Sequence, residues 1–225
     1  MSIRKTAALF MTFLLIAVCY TLPVQSQWIR GGVTIGTNLS QVDGDEVYGF
    51  KKFGFHGGAV GIIPLKNNFL FSLETLYSQK GAYQNDRSYY YDAYHLKLDY
   101  VEIPVMLQFN DRDIFTAGLG FSYARLVDIR EWEHGERTNV TLRGDSAAYS
   151  RSDYTIFADV RFRLYQRLSF NVRYQYSIAP IRTRTYNPDI YRSWTRKQYN
   201  NLLSFRLIYV FNEPVPEKKR KKDED

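Results

Sequence analysis

The chain has 225 residues, with 30 lysines and arginines against 23 acids, and a single cysteine, Cys19. That length fits one or two domains, and a lone thiol excludes a disulfide framework and a cysteine-based zinc site. The 19 tyrosines and 15 phenylalanines exclude low-complexity disorder and favour strands over helices.

At the N-terminus Arg4 and Lys5 precede an apolar run from Ala7 to Tyr20, and Val24-Gln25-Ser26 lies just ahead of Gln27. A short basic segment, an apolar run too short to span a bilayer and a small-residue cleavage site make a signal peptide. Val18 is a poor residue ahead of a lipidated cysteine, which argues against anchoring at Cys19. Cleavage after Ser26 leaves 199 residues (225 − 26) with no thiol and a net charge of +5 (28 − 23). No later apolar stretch approaches the ~18 residues of a membrane helix. The exported product is therefore either soluble or a closed barrel, the other structure that satisfies its backbone in lipid. The expected organisation is a signal peptide over 1–26, a barrel over 27–211 and a charged periplasmic tail over 212–225.

Eight alternating segments follow in chain order. The first runs from Trp28 to about Asn38, with Ile29, Val33 and Ile35 opposite Arg30, Gly32, Thr34 and Gly36. The second, Lys52 to Pro64, sets Phe53, Phe55, Ala59 and Ile63 against Gly54, His56 and Gly58; the third, Phe69 to Lys80, sets Phe69, Phe71, Leu73 and Tyr77 against Ser72, Glu74 and Ser78. In the fourth, Tyr94 to Phe109, Val101, Ile103, Val105, Leu107 and Phe109 oppose Glu102, Pro104 and Gln108. Its early apolar residues Leu96, Leu98 and Tyr100 are out of phase with the later ones, which predicts a bulge near Tyr100. The fifth spans Ile114 to about Val127, the sixth Asp153 to Leu164, the seventh Leu168 to Ile178 and the eighth Asn201 to Phe211. Their connections alternate: short at Pro64–Asn68, Asn110–Asp113 and Tyr165–Arg167, long at Leu39–Lys51, Gly81–Ala93, Asp128–Ser152 and Ile181–Tyr199. The pattern predicts an all-β, eight-stranded antiparallel up-and-down transmembrane barrel with short periplasmic turns and long extracellular loops.

A lipocalin shares that strand count with its faces reversed. Here the less apolar face is mostly Gly and Ser with a few charges, which suits a cramped lumen better than a wetted exterior. The other face is nearly unbroken Phe, Leu, Val, Ile and Tyr, a costly set to expose to water. Tyr77, Tyr123, Tyr154, Tyr176 and Tyr209 fall near strand ends, where an interfacial girdle belongs.

Four segments carry a resemblance. They are Gly32-Val33-Thr34-Ile35-Gly36-Thr37-Asn38-Leu39-Ser40, Leu73-Glu74-Thr75-Leu76-Tyr77-Ser78-Gln79-Lys80-Gly81, Leu98-Asp99-Tyr100-Val101-Glu102-Ile103-Pro104-Val105 and Tyr199-Asn200-Asn201-Leu202-Leu203-Ser204-Phe205. Together they resemble the PorT-like outer-membrane β-barrel family of Bacteroidetes across essentially the whole mature chain. The resemblance implies an eight-stranded outer-membrane barrel, in a family whose namesake is linked to type IX protein secretion. It brings no catalytic residues, and the charged tail departs from members that end at the last strand.

The inward charges Glu74, Glu102, Asp159, Arg161, Arg163, Arg173 and Arg206 should pair, because an unpaired charge at low dielectric is expensive. The expectation is a structural network filling the lumen, with no open channel. His56, Glu74 and Ser72 have the residue types of a hydrolytic triad, but no nucleophile signature surrounds a serine. His95 and His134 lie in loops without metal-ligand spacing, so no catalytic, cofactor or metal site is expected. Arg182, Arg184, Tyr186, Tyr191, Arg192, Trp194, Arg196 and Lys197 in the last loop have the composition of a partner-binding surface. The Tyr83–Tyr94 loop adds Tyr89-Tyr90-Tyr91 beside Asp86, Arg87 and Asp92. Expected partners are outer-membrane lipid and lipopolysaccharide and other envelope proteins, not nucleic acid. The functional expectation is a non-enzymatic accessory or structural subunit of an outer-membrane assembly. The alternative is a surface-binding module for an anionic glycan, lipopolysaccharide or protein.

Overall fold

A computed structural model describes residues 29–45, 47, 49–84, 94–112, 114–140, 148–189, 192–211 and 213. The expected signal peptide, the Tyr89-Tyr90-Tyr91 run with Asp86, Arg87 and Asp92, and the tail beyond Glu213 lie outside these residues. The strands are β1 (Arg30–Asp43), β2 (Lys52–Pro64), β3 (Phe69–Gln84), β4 (Tyr94–Asp111), β5 (Phe115–Glu133), β6 (Glu136–Arg137), β7 (Ser152–Tyr165), β8 (Leu168–Ser177), β9 (Arg182–Asp189) and β10 (Arg192–Val210). Eight of them pair antiparallel with their neighbours in the order β1-β2-β3-β4-β5-β7-β8-β10, and β10 returns to β1 to close the ring. Closure removes every edge, so backbone donors and acceptors are paired around the wall.

One end of the ring is made of tight turns. Asn67, Asn68, Arg112 and Gln166 all take positive φ there, the left-handed geometry that short hairpins need. At the other end several strands outrun expectation: β1 reaches Asp43, β3 reaches Gln84, β5 reaches Glu133 and β10 starts at Arg192. What reads as a long last loop is largely the β9–β10 hairpin, with Thr195 opposite Thr185 and Lys197 opposite Thr183. Two residues with positive φ, His134 and Gly135, join β5 to the short β6.

Near the turns and through the middle of the wall the apolar face points out. On β4 Val101, Ile103, Leu107 and Phe109 are exposed, and eight residues of strand tilted by ~40° rise roughly 20 Å, close to the ~25 Å apolar band of a membrane barrel. Glu102 and Gln108 on the same stretch are buried inside. Beyond Tyr100, on the loop side, the preference inverts: Leu96, Leu98 and Tyr100 are fully buried. They join Val42, Val47, Ala82, Leu126, Ile129, Tyr149 and Ile181 in an apolar core that the loops close over.

The expected irregularity near Tyr100 is present, but on the partner strand. The register shifts between Asp99 and Tyr100 because Asp99 faces Asp128 while Tyr100 faces Leu126, leaving Val127 as the extra residue in β5. Strand β4 itself keeps its parity, with Leu96, Leu98, Tyr100 and Glu102 all pointing in. Its apolar phase changes because its surroundings change at that height.

Candidate functional site

The interior has layers. At the turn end Val60, Ile62, Leu70, Ile208 and Val210 form a small apolar cluster. Above it β3, β7, β8 and β10 each contribute one inward charge to a four-membered ring. Arg173 grips Glu74 with both terminal nitrogens, at 3.1 and 3.0 Å, and donates its Nε to Asp159 Oδ2 at 2.9 Å. Arg206 donates to Glu74 Oε2 at 2.9 Å, to Asp159 Oδ2 at 2.7 Å and to Asn171 Oδ1 at 2.6 Å. Asn171 in turn donates to Asp159 Oδ1 at 2.7 Å. The two arginines balance the two carboxylates, and bidentate geometry fixes both partners. The Arg173 guanidinium also lies 4.0 Å from the centre of the Phe157 ring. That ring occupies the place a side chain at residue 120 would need: a Cβ on Gly120 would come 2.3 Å from Phe157 Cζ.

A second group sits toward the loops. Lys80 Nζ lies 2.6 Å from Glu102 Oε1 and 3.3 Å from Asp153 Oδ2, and 4.9 Å from the centre of the Tyr100 ring. Asp153 also accepts from Ser177 at 2.7 Å and Asn200 at 2.8 Å. Lys80 and Asp153 are absent from the sequence-derived set. Lys80 falls on the inward face of β3, two positions beyond Ser78, and could have been read from strand parity alone.

The remaining expected lumen charges, Arg161 and Arg163, do not join either group. They sit at the turn end, 3.5 and 3.2 Å from Glu213, which is 3% exposed. Glu213 lies just past the last strand, in the segment expected to be a solvated tail. It folds back under the barrel to meet them.

The loop-side core contains its own polar knot. Glu131 Oε1 accepts from Arg182 at 2.7 Å, Tyr94 at 2.8 Å and Tyr149 at 3.0 Å, while Arg182 also donates to the Tyr149 hydroxyl at 2.6 Å. Burial, followed by the neighbouring Tyr149 and Glu131, pushes the Tyr94 hydroxyl far above the usual tyrosine value. Burial raises Tyr149 as well. Arg182 is thus an internal anchor that ties the β8–β9 connection to β5, and not a free surface cation. Arg184 pairs with Glu133 at 2.7 Å. Trp194, Arg196 and Lys197 remain exposed on β10, whereas Tyr191 and the side chains of Tyr186 and Arg192 lie outside the described residues.

The three residue types of a triad do not converge. Ser72 donates to Gln108 at 2.7 Å, His56 Nδ1 bonds Asn38 Oδ1 at 2.7 Å, and Glu74 is held by the arginines. Because Asn38 Oδ1 also accepts from Ser204 at 2.7 Å, Nδ1 of His56 is the donor of that contact. Among the described residues no cluster of His, Cys, Asp and Glu has the makings of a metal site.

On the outer wall Tyr77, Tyr154 and Tyr209 are exposed, and Tyr123 lies 5.5 Å from Tyr154. Tyr209 stands at the turn end, opposite Leu168; above Tyr77 and Tyr154, on the loop side, the outward face of β3–β5 carries Tyr83, His95 and Trp132 side by side. His95 stacks on Trp132 at 4.9 Å and meets Tyr83 edge-on at 5.5 Å. His95 is an outward position of β4, in keeping with a strand that starts at Tyr94 and at odds with its placement in a loop. His134 holds the β5–β6 turn.

Neisserial surface protein A superposes with a TM-score of 0.49 at 11% identity, covering 80% of this chain and 97% of that one. Ail, the attachment invasion locus protein of Yersinia pestis, solved with the heparin analogue sucrose octasulfate, gives 0.42 at 13% identity over 80% and 99%. The outer membrane protein OprG of Pseudomonas aeruginosa gives 0.35 at 12% over 80% and 94%. No curated protein matches the chain by sequence. The model of the outer membrane protein beta-barrel domain matches residues 25–182. With its closed ring of eight strands and outward apolar belt, the chain belongs to that outer-membrane β-barrel family.

Proposed function

We propose that the protein is a non-enzymatic outer-membrane barrel, acting as a structural or accessory subunit of an envelope assembly through its outer wall and extracellular cap. The observation that carries this reading is the dryness of the interior. Arg173, Arg206, Glu74, Glu102, Lys80 and Tyr100 are each no more than 2% exposed, although a water-filled pore would wet them. A hydrolytic reading would need Ser72, His56 and Glu74 bonded to one another, and each has another partner. Resemblance of the four quoted segments to PorT-like barrels supports a role beside a secretion machine. Export by a signal peptide cleaved after Ser26, and a periplasmic position for residues 212–225, belong to the same reading.

The test is purification of tagged protein from mildly solubilised outer membrane. Stoichiometric envelope proteins should co-purify, the N-terminus should read Gln27, and planar bilayers should stay silent. A clean monomer producing discrete conductance steps would overturn the reading. A second reading rests on the exposed Trp194, Arg196 and Lys197 of the β9–β10 hairpin, an arrangement suited to an anionic glycan. It requires calorimetric binding of a sulfated oligosaccharide that Arg196→Ala with Lys197→Ala abolishes; heat release unchanged in that variant rejects it.

A further inference from the structure

We propose that the outward face of β3–β5, just above the apolar belt, is a binding site for the phosphorylated sugar headgroup of an outer-leaflet glycolipid. The proposal rests on the reading that partners meet the outer wall, and it names a different surface from the last loop. The register lines the face up in rows. Tyr83, His95 and Trp132 form one row across three strands, and Lys97 with Arg130 form the next, two residues closer to the membrane. Asp99 and Asp128 come next, and below them Val101 begins the apolar belt beside Arg125. Lys97 lies four positions past Val101, so with a ~40° tilt it stands roughly 10 Å above it, where the headgroup layer lies.

The chemistry of the rows matches such a headgroup. Sugar rings present C–H faces that pack on aromatic rings, and Tyr83 is exposed at the edge of the row. About 7 Å of strand separates the aromatic row from the cations, the reach from a stacked sugar ring to a phosphate on its next atom. Each cation is held out on the face by an acid on the same strand: Lys97 lies 3.6 Å from Asp99, and Arg130 lies 2.8 Å from Asp128. Arg130 remains nearly half exposed at 45%. Lys52 of β2 adds a third positive charge within electrostatic reach of both Lys97 and His95. Against those three cations stand two carboxylates, Asp99 and Asp128. Burial, then the like charge of Lys97, depresses the Lys52 ammonium, and burial followed by Lys52 and Lys97 depresses the His95 imidazole. Such a crowd of cations is relieved by an anion. Cations at this height contribute about 1 kcal/mol each toward an anionic surface, and a phosphate presented on a sugar adds the aromatic contact that a simple phospholipid lacks.

The test uses the full-length barrel in detergent, exchanged to remove bound lipid, with bisphosphorylated lipid A as the probe and native mass spectrometry as the readout. Wild type should retain one lipid A in preference to phosphatidylglycerol. Lys97→Ala with Arg130→Ala should weaken retention about 30-fold, and Trp132→Ala should weaken it while leaving phosphatidylglycerol adducts unchanged. Heat-modifiable migration on gels verifies that the variants are folded, and Lys52→Ala supplies a second charge variant. Equal retention of lipid A by wild type and the double variant overturns the proposal, as does phosphatidylglycerol competing on equal terms. The same preparation, surveyed for co-purifying proteins, separates this proposal from the accessory reading. Lipid A without protein partners keeps the site and removes that role, and protein partners without lipid A do the reverse.

Discussion

Between Val101 and Phe109 strand β4 turns Val, Ile, Val, Leu and Phe outward and keeps Glu102 and Gln108 inside. Between Tyr94 and Tyr100 the same strand turns Leu96, Leu98 and Tyr100 inward and sets His95 and Lys97 on the outward face, with Asp99 covered beside them. The lower half is built for an apolar solvent and the upper half for water, on one continuous strand. In the belt, lipid offers no reward for apolar packing inside, so the interior is held by paired charges and hydrogen bonds. In the cap, water outside restores the ordinary hydrophobic drive, and the loops fold inward to complete a small core. The boundary between the two solvents can be located to within a residue or two, at the Asp99–Tyr100 register shift.

Substitutions can break that contrast. The largest effect is expected from Arg206→Ala, which leaves the Glu74 and Asp159 carboxylates to share Arg173 alone, one negative charge in excess in a dry interior; losing one partner of a buried pair costs about 3–5 kcal/mol. It should appear as a lowered urea midpoint for the whole barrel. Arg161→Ala should cost less, because its partner Glu213 lies at the turn-end mouth and keeps Arg163. If the two variants unfold alike, the ring of four charges is not the keystone of the belt. Leu98→Ala should remove about 2–5 kcal/mol from the cap alone, with faster amide exchange in Leu96–Tyr100 and Leu126–Glu131 and unaltered protection around Arg173. Uniform loss would mean that the two halves unfold as one.

Outward substitutions sharpen the boundary. Val105→Arg, in the middle of the belt, should destabilise the folded barrel in bilayers by about 2–4 kcal/mol, whereas Arg130→Leu on the cap should stay within ~0.5 kcal/mol. Comparable costs at both positions would misplace the membrane. The smallest effect is in pH. The Tyr94 and Tyr149 hydroxyls are raised above the ordinary tyrosine value, so the folded cap holds these protons more tightly than the open chain. Their contribution is complete below about pH 10 and is lost as pH climbs beyond it. Tyrosinate absorbance should show a fraction that resists ionisation until the cap opens, and Tyr94→Phe with Tyr149→Phe should remove that fraction.

The belt was legible because most of its outward positions obey one rule: Phe69, Phe71, Leu73 and Tyr77 on β3, or Leu207 and Tyr209 on β10, announce a strand and its outward face together. The cap was not, because that rule fails there. Residues 192–199 carry no outward apolar series, so β10 reads as a loop until Asn201, and Leu96 and Leu98 look misphased when they are correctly placed for a wet exterior. The ionic interior was half legible. Glu74, Asp159, Arg173 and Arg206 lie within clean alternation, but their grouping depends on which strands face one another across the lumen, and parity does not contain that. Glu213 was hidden by its neighbours, a proline-led charge run whose composition speaks for solvent. Arg182 was assigned to a surface by composition, although Glu131, its buried partner, lies 51 positions upstream.

Val127 is an inserted position that sets the sides of the strand beyond it. Below it the inward residues of β5 are Thr116, Ser122, Ala124 and Leu126; above it they are Ile129 and Glu131. Val127 and Asp128 lie together on the outer side, and the ladder resumes with Asp128 opposite Asp99. Deleting Val127 would join Leu126 to Asp128 in plain alternation, so Arg130, Glu131 and Trp132 would keep their sides and only the local bend of the bulge would go. A frame-preserving codon loss is therefore survivable at that one place, whereas the same loss at Asp99 of the unbulged β4 would turn Leu96 and Leu98 outward and empty the cap.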